Sequence, residues 1–317
     1  MILKSQFKKI FVRSGIASLG FRLSPHSVRI LMYHGISPQS ITPDAFADQL
    51  DYIVSHFDTY WASELPILIE RIDSLRRPAI VLTFDDGLRN NLTYAAPLLD
   101  RYRAKATFYL VSDLLDGRSM LWNHELRCRL ALMDNVDLPP SIGPFSSSRE
   151  TRWQEICAFV ESVKRWSNDQ RLTLLGTLRE RLPSPRYADW MRDEYEIMGT
   201  TDARGLPGVI EIGSHTRTHP MLDRLSQDDA IDEIVGSRRR LESALGRPVP
   251  TFCYPNGQFS EKVVEIVGRS YTAAVTVEQG LVRKGDPLHR LKRIIAGRNL
   301  DEFIYYLSRP PTLTDRV

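Results

Sequence analysis

Pro78-Ala79-Ile80-Val81-Leu82-Thr83-Phe84-Asp85-Asp86-Gly87 is the stretch on which the reading of the fold turns. An apolar run opened by proline and closed by turn-forming residues predicts a buried strand over Ala79–Phe84. Asp85 and Asp86 then stand at its carboxyl end, where parallel α/β folds assemble their active sites. In an extended strand the two carboxylates would face opposite ways. Gly87 lets the chain turn sharply, so that both can serve one pocket. Asp-Asp-Gly alone would equally make a turn with a helix cap, so the pair gains meaning only from what surrounds it.

Working outward, Val28–Tyr33 reads as a second buried strand. Thr42-Pro43-Asp44 reads as a helix start, with Thr42 as cap and Pro43 at the first helical position. The spacing of Phe46, Leu50, Ile53, Val54 and Phe57 continues that helix. Downstream, a helix is predicted through Leu98–Tyr102 and a strand over Ala106–Val111. Strands over Val209–Ile212, Thr251–Tyr254 and Tyr271–Val277 alternate with helices over Asp228–Leu245 and Glu261–Val267. Such alternation predicts parallel strands covered by helices, as an open sheet or a barrel. Between about 118 and 207 the pattern changes. Trp122, Trp153, Trp166 and Trp190 sit among charged residues, and Glu150–Trp166 and Asp169–Arg181 have helical character. We expect a largely helical insertion there, serving as a lid or a substrate wall.

The 317 residues are 42% hydrophobic and 26% charged, with a formal net charge of +3, as in a soluble globular protein. So small a positive balance, without any recognition-helix or zinc-finger pattern, predicts no nucleic-acid partner. Cys128, Cys157 and Cys253 form no CxxC pair and are odd in number, which points to a reducing compartment. Residues 1–27 form a basic amphipathic segment carrying Lys4, Lys8, Lys9, Arg13 and Arg22. Arg13 interrupts the apolar run a signal peptide needs, and Ser14–Phe21 is too short to span a bilayer. The segment reads as a solvated first helix or as a peripheral membrane contact. The expected location is therefore cytoplasmic, with or without membrane association. Residues 28–317 are expected to form one α/β domain carrying the insertion.

A second constellation, His215-Thr216-Arg217-Thr218-His219-Pro220, again follows a strand-like run. Histidines four apart can hold one metal ion. Thr216 excludes the zinc-protease HExxH motif, and Pro220 favours a turn over a helix at His219. Two imidazoles and one carboxylate make a facial set with open positions for water and substrate. A second carboxylate can then take a proton from the water. Such a set suits metal-assisted hydrolysis of an amide or ester.

With these residues in view, the chain resembles the polysaccharide deacetylase family (NodB-homology, carbohydrate esterase family 4). Thr83–Gly87 and His215–Pro220 carry the resemblance, together with Met32-Tyr33-His34, Phe252–Gly257 and Arg293-Ile294. It covers roughly residues 28–117 and 208–296. The resemblance implies a distorted (β/α) barrel with fewer than eight regular strands. It also implies Asp85 as catalytic base, Asp86, His215 and His219 as metal ligands, and the Tyr254 backbone N–H as oxyanion donor. Many members carry arginine where this chain has Cys253, and Arg293 is expected to orient Asp85 instead. Leu288-His289 is misordered relative to the Leu-x-His motif that supplies an acid in many members. Trp122 and His124 are candidates for lining a sugar site, and His34 for a place near the metal. Zn is the expected metal, with Co, Ni, Mn or Fe fitting similar ligands. The implied activity is removal of an N-acetyl group from an amino sugar in a glycan or its precursor. Alternatives are a sugar deformylase or O-acetyl esterase, and a carbohydrate-binding pseudoenzyme.

Overall fold

A computed structural model describes residues 27–117, 119–183 and 185–308. The basic segment expected over 1–27, and with it the membrane contact assigned to it, lies outside the described residues except for Ser27. The first half runs β1 (Arg29–Tyr33), α1 (Pro43–His56), β2 (Asp58–Tyr60), α2 (Leu65–Glu70), β3 (Ala79–Phe84), α3 (Ala96–Tyr102) and β4 (Ala106–Leu110). Helices α4 (Trp122–Leu132), α5 (Arg149–Val163), α6 (Asn168–Arg181), α7 (Asp189–Tyr195) and α8 (Thr200–Arg204) follow. Then come β5 (Ile210–Ser214), α9 (Gln227–Ile231), α10 (Ser237–Leu245), β6 (Thr251–Cys253) and α11 (Glu261–Ser270). The order ends with β7 (Ala273–Gln279), β8 (Leu291–Ile295) and α12 (Leu300–Ser308).

The strand pairs are parallel and form a ring, β1-β8-β7-β6-β5-β4-β3, which β1 closes by pairing with β3 from Arg29↔Ile80 to Tyr33↔Phe84. Because β1 takes one edge of β3, β2 and β4 divide the other. β2 pairs with Ala79–Val81 and β4 with Leu82–Phe84. The result is a distorted (β/α) barrel of seven strands, as the resemblance implied.

Alternation along the strands sorts side chains to two faces. Ile80, Leu82 and Phe84 pack with Phe46, Leu50 and Ile53 of α1, outside the ring. Ala79 and Val81 pack instead with Ile30, Tyr109, Cys253, Val275 and Leu291, in the interior. Thr83 and Arg293, two residues beyond Val81 and Leu291, continue that interior face toward the carboxyl ends of the strands. Gly213 in β5 permits this packing, since a Cβ there would lie 2.3 Å from the Tyr109 ring.

Helix α1 starts where the sequence placed it, with Thr42 Oγ1 accepting from Ala45 N at 3.2 Å. The helix predicted over Asp228–Leu245 is interrupted by a π-helical turn at Asp232–Gly236 between α9 and α10. It ends at Gly246 in the left-handed region, as the glycine suggested.

Candidate active site

Asp85 and Asp86 follow β3, and His215 follows β5, so all three stand at the carboxyl ends of the two strands that flank β4. Asp86 (φ 73°) and Gly87 (φ 69°) make the turn that lets both carboxylates face one centre. Left-handed backbone is tolerated by aspartate better than by most residues. The Asp85 side chain continues the interior face of β3, while Asp86 swings toward the histidines.

The Asp86 Oδ1 atom lies 3.4 Å from His215 Nε2 and 3.5 Å from His219 Nε2. All three residues are buried. A tetrahedral ion with ligand bonds near 2.1 Å separates its donors by about 3.4 Å, so these atoms fit a shared metal better than mutual hydrogen bonds. His215 Nδ1 bonds the Cys253 carbonyl oxygen at 2.7 Å, which leaves Nε2 facing the centre; such a partner fixes a ligand's tautomer. Burial, aided by the neighbouring His215, pushes His219 down to about 3, so its imidazole is neutral as a ligand must be. Burial alone would raise the Asp86 pKa, but the three histidines His215, His34 and His219 outweigh it and hold the carboxyl well below its ordinary range.

Asp85 also approaches His215 and Cys253, a second trio of possible ligands. Arg293 excludes a cation there. Its guanidinium bonds Asp85 Oδ1 and Oδ2 at 2.7 Å each, with both side chains buried. The remaining donors reach the Thr276 carbonyl (2.7 Å), Thr83 Oγ1 (2.9 Å) and Cys253 Sγ (3.3 Å). All five N–H groups of the arginine are thus engaged. Burial opposes ionisation of Asp85, yet Arg293, with help from His215 and His34, keeps its pKa below the ordinary value. The arginine comes from β8, and Cys253 leaves room for it.

The loop from His215 to His219 contains two more left-handed residues, Thr216 (φ 68°) and His219 (φ 61°). Each such non-glycine conformation costs about 1–3 kcal/mol, and His219 is further restricted by Pro220. Glu233, presented by the π-helical turn, accepts from Arg217 N (2.8 Å), Thr218 N (2.9 Å) and Thr218 Oγ1 (2.6 Å). Ser237 Oγ donates to the Thr216 carbonyl at 2.9 Å. Nothing in the sequence marks Glu233, one acid among several on an amphipathic helix.

Other expected residues fall differently. The Tyr254 N–H donates to the Val275 carbonyl at 3.2 Å, within the β6–β7 ladder, so the structure does not bring it to the centre as an oxyanion donor. The Tyr254 hydroxyl bonds the His289 carbonyl, and His289 Nε2 pairs with the Tyr271 carbonyl at 2.9 Å. His34 is exposed rather than buried, yet close enough for its charge to act on Asp85 and Asp86. Asn91 is buried and ties Ile36 N (3.2 Å) to the His34 carbonyl (2.6 Å). His124 packs against Tyr195 with ring centroids 4.5 Å apart and the planes tilted by 32°, and burial pushes its pKa down to about 3.

This fold agrees with comparisons to known proteins. A family model described as Polysaccharide deacetylase matches residues 73–127 and 205–272. The chain is 18% identical over 275 residues to "Putative polysaccharide deacetylase YxkH" of Bacillus subtilis (strain 168), covering 85% of this chain and 71% of that protein. The fold is similar to Streptococcus pyogenes deacetylase PplD, solved in complex with acetate, with a TM-score of 0.59 and 20% identity. That match covers 90% of this chain and all (100%) of the other. It is also similar to IcaB from Ammonifex degensii, with a TM-score of 0.59, 15% identity, and 89% and 97% of the two chains covered. The chain is thus similar in sequence to polysaccharide deacetylases and shares the barrel fold of these solved structures.

Proposed function

We propose that the protein is a metal-dependent hydrolase that removes an N-acetyl group from an amino sugar in a glycan or glycan precursor. The observation that carries this reading is the convergence of Asp86, His215 and His219 on one centre beside an Asp85 held by Arg293. Asp86, His215 and His219 would hold a divalent metal, with Zn first and Co, Ni, Mn or Fe as alternatives. When bound, the metal supplies polarisation of the acyl carbonyl and a lowered pKa for a water molecule.

The rest belongs to the chain's own groups. Asp85 is ionised at neutral pH, and Arg293 fixes its plane through both oxygens. Each carboxylate oxygen has a second lone-pair site, so Asp85 can still accept a proton from the attacking water. His34, exposed just after the carboxyl end of β1, is the imidazole we assign to the leaving amine. With the Tyr254 N–H committed to the ladder, the oxyanion would rely for its stabilisation on the positive charge of the metal that Asp86, His215 and His219 would hold.

The test is acetate release from a panel of N-acetylated amino sugars and glycans, with and without added Zn or Co, beside Asp85→Asn. Metal-dependent acetate is expected from the wild type. Asp85→Asn should bind metal normally and lose about 10²–10⁴-fold in kcat. A wild type that binds metal yet releases another acyl group would move the reading to a deformylase or O-acetyl esterase. A wild type that binds neither metal nor sugar would overturn it.

A further inference from the structure

Two of the three clustered side chains, Asp86 and His219, belong to residues with left-handed backbone; His215 does not. Both strained positions are gripped from the same place, the chain between β4 and β5. After Asp86, the Gly87 carbonyl accepts from Met198 N at 3.0 Å, and Arg89 N donates to the Glu196 carbonyl at 2.8 Å. At His219 the grip comes from the first turn of α4. The Trp122 indole Nε1–H donates to the His219 carbonyl at 3.0 Å. Trp122 is itself locked: it is buried, and the Arg171 guanidinium of α6 lies 4.5 Å over its ring. Two residues past His219, Met221 packs in the apolar cluster that Trp122, Leu126 and Leu130 share with α5 and α6. His215 needs none of this, since its N–H bonds the Leu110 carbonyl and its ring bonds the Cys253 carbonyl.

We infer that the helical segment between β4 and β5 is a clamp on the metal centre, with Trp122 as a positioning residue for His219. The inference rests on the proposed metal site but does not need the substrate or the acyl group. A left-handed histidine before proline has no intrinsic preference for its place. Trp122 fixes the carbonyl side of that residue while Thr216 Oγ1 accepts from its N–H at 3.0 Å. By linkage, whatever orders α4 favours metal binding, and metal binding orders α4.

The experiment is titration of the full chain, stripped of metal, with Zn²⁺ or Co²⁺, comparing wild type with Trp122→Phe. Phenylalanine keeps a ring beneath Arg171 and removes the N–H. The metal Kd should rise about 10-fold, the usual size of a lost partner behind a ligand, and the Co²⁺ absorption bands should change. A role in packing alone would lower the unfolding temperature and leave Kd and bands as in the wild type; that result overturns the clamp. Where Trp122→Phe does not fold, hydrogen exchange on the wild type decides. Added Zn²⁺ should protect the first turn of α4, and protection confined to the loops after β3 and β5 overturns the inference. A wild type that binds no metal removes the proposed metal centre and the clamp together. Equal binding by wild type and variant removes the clamp alone.

Discussion

Arg293 sits where a cation costs most, fully buried inside the barrel. It persists because Asp85 returns its charge and three further groups take its remaining donors. Breaking such a pair from one side leaves the other charge stranded, typically costing about 3–5 kcal/mol. Arg293→Met should therefore destabilise the protein by about that much in urea unfolding. Adding Asp85→Asn to the same chain should recover part of the loss, because no carboxylate then lacks a partner. Equal losses with and without Asp85→Asn would mean that Arg293 acts through packing rather than through the pair. The sequence places Arg293 beside Asp85 only by family resemblance. Without that resemblance, the short run Leu291–Ile295, broken by two basic residues, gives no clear strand signal. Asp85, Asp86, His215 and His219 were legible from residue type and strand-end position. The Tyr254 N–H donates within the β6–β7 ladder, and residue type does not reveal which way a backbone amide points.

Hydrophobic pattern made most of the elements readable. β3 emerges as Ala79–Phe84, and the helices expected at Glu150–Trp166 and Asp169–Arg181 match α5 and α6 within a few residues. What escaped was short or irregular. β2 has three residues and only half-buried side chains, too little for a period to register. The π-helical turn adds one residue to a turn without altering composition, so the clamp by Glu233 is invisible in the sequence. Within the β4–β5 segment the strongest tie is ionic. Glu125 of α4 accepts from Arg129 Nε (2.8 Å) and from Arg179 Nε (2.9 Å) and Nη2 (2.6 Å) of α6. Burial opposes the charged form of Glu125, but Arg179 and Arg129 outweigh it and lower the pKa. A depressed folded-state pKa contributes stability above the unfolded value, near 4.3, and that contribution is lost as pH falls through the folded one. Arg179 is half exposed, so solvent screens its share. Glu125→Gln should thus cost about 2 kcal/mol at pH 7 in urea unfolding, with the gap to wild type closing below about pH 4. A gap independent of pH would remove the ionic account.

At the scale of the molecule, the barrel brings together loops that lie far apart in sequence. Asp86 and His219 are separated by the whole β4–β5 segment, yet ring closure by β1 on β3 and the ladder from β3 through β5 set their loops side by side. The centre gathers buried polar groups at some cost. His219 Nδ1 is buried without a hydrogen-bond partner, and Asp86 and His219 hold strained backbone. An ion bound at the cluster would offset that cost in the folded state only, because the unfolded chain does not hold the three ligands together. Binding confined to the folded state adds RT ln(1 + [L]/Kd), about 2.7 kcal/mol at a hundredfold excess over Kd. For a chain of this size that corresponds to roughly 4 °C in the unfolding midpoint. Scanning calorimetry with Zn²⁺ at rising concentration should show this increase, and His219→Ala should abolish it while still unfolding cooperatively. The increase should also shrink on acidification, since protons compete for the same nitrogen and oxygen atoms. A midpoint that ignores Zn²⁺ in the wild type, or that rises equally in His219→Ala, would place the ion elsewhere and leave the three residues with a purely structural role.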